Sequence, residues 1–126
     1  MRRITTLHLS NLPKTWLIDL DGTIVKHNGY KEDGDKLLEG VREFFENVSA
    51  QDVVIILTSR EAKYKDETIN FLKTNNIRFD HIIFDLPYGE RILINDMKES
   101  GMLTAHAINK KRDEPLDIFI KTDHQL

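Results

Sequence analysis

The segment WLIDLDGTIV, residues 16–25, runs apolar into two aspartates one residue apart, Asp19 and Asp21, and then meets Gly22. Carboxylates are costly to bury without partners, so a greasy run that ends on two of them needs either solvent or a task for them. Along an extended chain the two side chains share parity, which would place both on one side, about 6–7 Å apart along the backbone. Such a pair can share one divalent cation, or divide the roles of nucleophile and acid. Gly22 permits a sharp departure of the chain. A plainer account is an Asx-type turn closing the strand. An EF-hand calcium loop starting at Asp19 would need glycine at its sixth position and glutamate at its twelfth; the chain has Ile24 and Tyr30 there, which excludes it.

Two further stretches carry the same kind of chemistry. In LTSR, residues 57–60, the hydroxyl of Thr58 follows an apolar run and could donate to a phosphate oxygen. The run Thr58-Ser59-Arg60-Glu61 also fits a helix capping box, S/T-x-x-E. In RILINDMK, residues 91–98, Asp96 is a third carboxylate after an apolar run, and by itself an ordinary turn or cap residue. The spacings, 39 residues from Asp19 to Thr58 and 38 from Thr58 to Asp96, leave room for a crossover between each pair of parallel strands.

The elements that would position these groups follow from the apolar pattern. WLIDL (16–20), VVIIL (53–57), HIIF (81–84) and RILI (91–94) are short apolar runs with β-branched residues and predict buried strands; TAHAI (104–108) and LDIFI (116–120) are weaker strand signals. Leu37, Leu38, Val41, Phe44, Phe45 and Val48 draw one stripe down a helix, with Asp35 as its N-cap and Gly40 weakening its interior. A second helix is expected from Glu61 to Asn75, ended by Asn75-Asn76, and a short third one near MKESGM. Strands alternating with helices predict an α/β fold, a Rossmann-like three-layer α/β/α arrangement around a parallel sheet with right-handed crossovers. Ligands in such sheets bind beyond the carboxyl ends of the strands, where Asp19, Asp21, Thr58, Ser59, Arg60, Asp85, Asn95, Asp96 and Lys98 would gather.

Taken together, DLDGT, Thr58 after VVIIL and Asp96 in LINDMKES resemble the motifs of the haloacid dehalogenase-like hydrolases, a superfamily dominated by phosphatases. The resemblance spans about residues 15–110. It implies that Asp19 is a nucleophile forming an aspartyl-phosphate, and that Asp21 protonates the leaving oxygen and later takes a proton from water. It also implies Mg²⁺, held by the Asp19 carboxylate, the Asp21 carbonyl and Asp96, a hard-oxygen set suited to that ion. Thr58 and a cation would hold the transferring phosphoryl oxygens. The family's third motif, a lysine or arginine, is less plain: Arg91 is the nearest basic residue upstream of Asp96, with Lys63 and Lys98 as rivals. Asn95 stands where relatives carry Gly or Asp.

Between Gly22 and Val53 there is room for a short flap and one helix, so the resemblance is to small, capless members acting as one domain over residues 1–126. An open site would admit a large substrate or be closed by a second subunit of a homo-oligomer. The layout RILINDMKES…TAHAINKKRDE is similar to members found with polysaccharide biosynthesis, which points to a small sugar phosphate. The alternatives are a nucleotide or nucleic-acid end-phosphatase and a non-catalytic phosphate-binding scaffold. NKKR, 109–112, is the only basic cluster that favours nucleic acid, and the net charge of −3 opposes it. The 126 residues, 40% apolar and 31% charged, suit one globular domain with a real core. The absence of cysteine excludes disulfides and thiolate metal sites and agrees with a cytoplasmic protein. The N-terminal MRRITTLHLSNLPK is a poor signal peptide, and nothing approaches the roughly 20 apolar residues of a membrane span.

Overall fold

A computed structural model of the chain describes residues 4–126; the basic start of the N-terminal stretch, residues 1–3, lies outside the described residues. The order of elements is β1 (Thr5–Leu9), β2 (Thr15–Asp19), α1 (Val41–Glu46), β3 (Val53–Leu57), α2 (Lys65–Thr74), β4 (His81–Ile83) and β5 (Ile118–Thr122). Single 3₁₀ turns lie at Gly29–Lys31 and Ala62–Tyr64. The fold is α/β and every strand pairing is parallel: β2-β3-β4 form one sheet and β1-β5 another.

Register decides what the three-stranded sheet presents. Asp19 lies opposite Leu57, and Leu57 opposite Ile83, so the three carboxyl ends are level. The ladder then continues one residue past each strand: the Leu20 N–H donates to the Leu57 carbonyl at 2.9 Å, and Thr58 N–H to the Ile83 carbonyl at 3.0 Å. Because neighbouring parallel strands cannot be joined by a hairpin, the chain crosses over through α1 and then α2.

The core explains why these segments hold. Ile18, Leu20, Ile24, Val25, Val54 and Ile56 pack with Val41, Phe44 and Phe45 of α1 and Leu72 of α2. Trp16 meets Phe44 edge to face at 5.4 Å, and its indole N–H donates to Asp52, whose other oxygen accepts from the Lys14 N–H. Both oxygens of the buried Asp52 carboxylate are thereby hydrogen-bonded, as burial of a polar group requires.

Several expectations are corrected. The first helix is shorter than its stripe: Gly40 has φ +86°, outside α-helical space, and serves as N-cap. Leu37 instead bridges Val25, and the Leu38 N–H donates to the Ile24 carbonyl. Asp35 is therefore not a cap. The RILI strand, residues 91–94, is absent, and Ile92 and Ile94 are 83% and 91% exposed; an apolar run becomes a strand only where a neighbour supplies its ladder, and none does so here. TAHAI likewise forms no strand. Instead of a third helix, Gly101, at φ +94°, closes a turn in which the Gly101 N–H donates to the Lys98 carbonyl. LDIFI is displaced by two residues, with Leu116 buried ahead of the strand. Asn75-Asn76 ends α2 as expected: Asn76 is left-handed (φ +59°), and the Ile77 N–H donates back to the Leu72 carbonyl. Among the described residues no helix is long and apolar enough to cross a membrane.

Candidate functional site

The DLDGT turn begins where the sheet ends. The Leu20 carbonyl accepts from Ile24 and Val25, and Gly22, at φ +84°, lets the chain reverse. A side chain at 22 would also meet the Arg112 Cγ at 3.0 Å, because residues 110–114 fold back over the turn. The Asp113 N–H donates to the Gly22 carbonyl, and the Asp113 carboxylate accepts from the His27 N–H at 2.7 Å.

The two aspartates finish in different surroundings. Asp19 is half-exposed; one oxygen accepts from the Thr23 hydroxyl at 3.0 Å and the other from Arg91 Nη1 at 2.7 Å. Asp21 is more enclosed. Its Oδ2 accepts from the Thr58 hydroxyl at 2.8 Å, its Oδ1 accepts from Arg60 Nε at 2.9 Å, and Arg60 Nη2 completes the ion pair at 2.9 Å from the same oxygen. Thr58 Oγ1 in turn accepts from the Arg60 N–H at 3.0 Å, which makes this a local turn rather than the expected capping box.

Arg60, expected only as one of the polar residues beyond the strand ends, is the hub of this group. Its side chain is 1% exposed. Beyond Asp21, it grips both oxygens of Asp35 at 2.9 and 2.6 Å and donates to Thr68 Oγ1 at 2.9 Å. The Tyr30 ring lies 4.0 Å from its Cζ, and Tyr30 meets Tyr64 edge to face at 4.8 Å. Burial pulls the Arg60 pKa down, but hydrogen bonds and charge from Asp35 and Asp21 outweigh it and hold the value above the usual guanidinium range.

Of the three basic candidates, Arg91 alone contacts Asp19. Lys63 is exposed, pairs loosely with Glu61 at 3.9 Å and lies over Tyr64; Lys98 sits in the exposed turn closed by Gly101. A further cation comes from the NKKR cluster. Lys110 is half-buried, and Asp19 is among the acids whose charge acts on it. Burial lowers its pKa, against the opposing pull of Asp113, Glu114 and Asp19. Asp85, also left-handed (φ +61°), ties the β3–α2 turn: its N–H donates to the Arg60 carbonyl, and its carboxylate accepts from the Ala62 N–H.

Asp96 is not brought to this group. It is exposed, and its carbonyl accepts from the Thr104 hydroxyl. Among the described residues no three His, Asp or Glu side chains gather closely enough to hold a metal ion. The donor chemistry of Asp19 nevertheless suits Mg²⁺. It is a half-exposed carboxylate with lone pairs to spare, and Mg²⁺ is commonly held by one or two carboxylates, with waters and a substrate phosphate completing its shell. The Asp21 carboxylate fits that role less well, since it is more enclosed and is held by the buried Arg60 guanidinium and Thr58.

Compared with known proteins, the chain matches no family model, no curated protein sequence and no solved structure.

Proposed function

We propose that the chain is a phosphomonoester hydrolase of the haloacid dehalogenase type, working through an aspartyl-phosphate on Asp19. The observation that carries this is the unequal setting of the two aspartates: an open carboxylate beside an arginine that can be shared, next to an enclosed one held by a hydroxyl and a buried guanidinium. An Asp19 oxygen attacks phosphorus, and the bond from phosphorus to the leaving oxygen breaks as Asp21 delivers a proton to that oxygen. Water then attacks the acyl-phosphate, Asp21 accepts its proton, and phosphate leaves. Thr58 suits both stages because a hydroxyl can reverse its bond: with a proton on Asp21 Oδ2, Thr58 Oγ1 accepts it and frees its own hydrogen for a phosphoryl oxygen. Arg91 retains N–H groups beyond the one on Asp19 and would hold the charge that develops on the transferring group. Mg²⁺ bound at Asp19 would supply further neutralisation of the phosphate; Asp96 and the Asp21 carbonyl belong to the proposed ligand set. The finer fold, three layers around a Rossmann-like sheet without a cap, belongs to the same proposal, as do a sugar phosphate substrate, a cytoplasmic setting and closure of the site by a second subunit.

A screen of aryl, sugar and nucleotide phosphates with Mg²⁺ tests this. Release of phosphate that Asp19→Asn abolishes, with cooperative unfolding retained, is the expected result; turnover that survives Asp19→Asn removes Asp19 from its role. One observation favours a second reading, a non-catalytic phosphate-binding scaffold: both Asp21 oxygens are held by Arg60 and Thr58, and no carboxylate triad is assembled among the described residues. On that reading phosphate binds near Arg91 and Lys110, and no phosphoester is cleaved.

A further inference from the structure

We propose that residues 88–108 form an arm that docks on the bare face of the β2-β3-β4 sheet in a second copy of this chain, each copy giving its arm to the other. Two surfaces on one chain carry this, and neither depends on the hydrolase reading. The first is the sheet face. The three strands lie in chain order, so crossovers of one hand place α1 and α2 on the same face. Trp16, Ile18, Val54, Ile56 and Ile82 point there and join the core. The alternate residues Leu17, Val53, Ile55, Leu57 and Ile83 point the other way. Of these, Leu17 and Ile83 are 47% and 45% exposed, whereas a parallel sheet is ordinarily covered on both faces.

The second surface is the arm, which runs out and back. The Lys98 N–H donates to the Met102 carbonyl at 3.0 Å, Asn95 Nδ2 donates to Thr104 Oγ1 at 2.9 Å, and the left-handed Gly101 closes the tip. Both feet are fixed beside the DLDGT turn, one by Arg91 on Asp19 and the other by the Asp113 N–H on the Gly22 carbonyl. Between them Ile92, Leu93, Ile94, Met97, Leu103 and Ile108 are all exposed. Together they present an area on the order of the 800 Å² that each partner gives to a stable interface, and above the roughly 300–600 Å² of the largest patch on a typical monomer. An arm pinned at both feet, with its apolar side chains in solvent, leaves its own sheet bare; a second copy supplies the surface that each half lacks. Reciprocal docking closes the pair about a two-fold axis, because every copy carries both halves. Asp19 ends one row of the same face, level with Leu57 and Ile83, so the arm of the second copy borders the candidate site.

Sedimentation of the full chain over a concentration series tests this and should show a dimer. Ile92→Lys with Ile94→Lys alters only exposed positions, so the fold should hold. It is expected to weaken dimerisation at least about 100-fold, since two apolar anchors are lost. Leu17→Asp should weaken it from the sheet side. A mixture of the arm variant and the sheet variant should form a dimer where neither does so alone, because that pair keeps one unaltered arm on one unaltered face. If Leu17→Asp folds poorly, cross-linking decides instead. The chain has no cysteine, so Ile94→Cys mixed with Leu17→Cys should give a pair joined by a short thiol cross-linker. A monomer at every concentration, or a dimer that Ile92→Lys with Ile94→Lys leaves intact, overturns the proposal. So does a cross-link within one chain carrying both cysteine substitutions, at dilutions where copies do not meet, because the arm then covers its own sheet.

Discussion

Replacing Arg91 with alanine separates a residue that holds the fold from one that holds a substrate. Arg91 Nη1 lies 2.7 Å from Asp19, a good ion-pair distance, but the two side chains are 36% and 37% exposed. Ion pairs in that setting contribute about 0–1 kcal/mol, because solvent screens them and long side chains lose entropy in forming them. Residues 88–98 supply no strand, and Ile92 and Ile94 on either side of Leu93 lie in solvent, so little packing is at stake. Arg91→Ala should therefore lower unfolding stability by less than about 1 kcal/mol. If Arg91 steadies the transferring phosphoryl group, its loss removes a donor from the transition state, at a cost of roughly 2.7–4 kcal/mol, or about 10²–10³ in kcat. Urea unfolding and steady-state phosphate release, measured on the same preparation, give both numbers. Activity within threefold of the parent would show that the Arg91–Asp19 pair is an ordinary surface contact. A stability loss of several kcal/mol would instead make Arg91 structural and void the inference from its exposure.

Other perturbations probe the frame and the metal. Gly40→Ala should cost about 2–4 kcal/mol, from a left-handed backbone at φ +86° and a Cβ placed 2.5 Å from the Leu116 carbonyl oxygen; an unfolding free energy from urea denaturation within about 0.5 kcal/mol of the parent, the size of a neutral surface change, would contradict the clash. Asp80 accepts the Val54 N–H at 2.8 Å and pairs with Arg78, and the backbone hydrogen bond in particular lowers its pKa. A carboxyl whose folded value lies below its unfolded one stabilises above the unfolded pKa and loses that contribution as pH falls through the folded one. Asp80→Asn should therefore reduce the stability lost on acidification below about pH 4, and an unchanged acid limb in urea titrations at stepped pH would argue against it. Asp96→Asn, assayed across a Mg²⁺ titration, should raise the Mg²⁺ concentration needed for half-maximal turnover if Asp96 joins Asp19 when the ion binds; an unaltered titration confines the ion to Asp19 and its neighbours.

The frame was legible wherever an apolar run was also a buried one. WLIDL and VVIIL became β2 and β3 because both insert into the core, Ile18 and Leu20 on one and Val54 and Ile56 on the other. RILI has the same composition and no ladder, since composition records a strand's appetite for burial and not whether a partner exists. β1 was invisible for a related reason: TTLHL is half polar and pairs with a strand at the far end of the chain, a register that no local pattern encodes. At the site, Asp19, Asp21, Thr58 and Arg91 were readable from type and position. The burial of Arg60 between Asp21 and Asp35 was not, although Arg60 stood among the strand-end residues. An arginine after a strand is ordinarily solvated, and its burial here depends on Asp35, 25 residues upstream. Asp35 was itself assigned to a helix cap because acid residues so often serve there; the left-handed Gly40, nearer the helix, took that position.

Parity along the strand suggested that Asp19 and Asp21 would point to one side, and the difference in their settings arises from where the sheet stops. Asp19 is the last residue of β2 and sits at the rim opposite Leu57. Leu20 makes one more ladder bond and is buried, and from there the chain turns, so Asp21 is carried against the Thr58–Arg60 turn that follows β3. Equal settings would have made the two carboxylates competitors for one proton. Distinct ones suit the proposed division into an attacking group and a proton carrier without any difference in residue type, which is how paired acids divide their labour. A site that only bound phosphate would gain nothing from that asymmetry, because either carboxylate would repel the anion. On the proposed hydrolase reading, the cost of keeping two acids beside a bound phosphate is offset because one of them forms a bond to phosphorus and the other moves a proton.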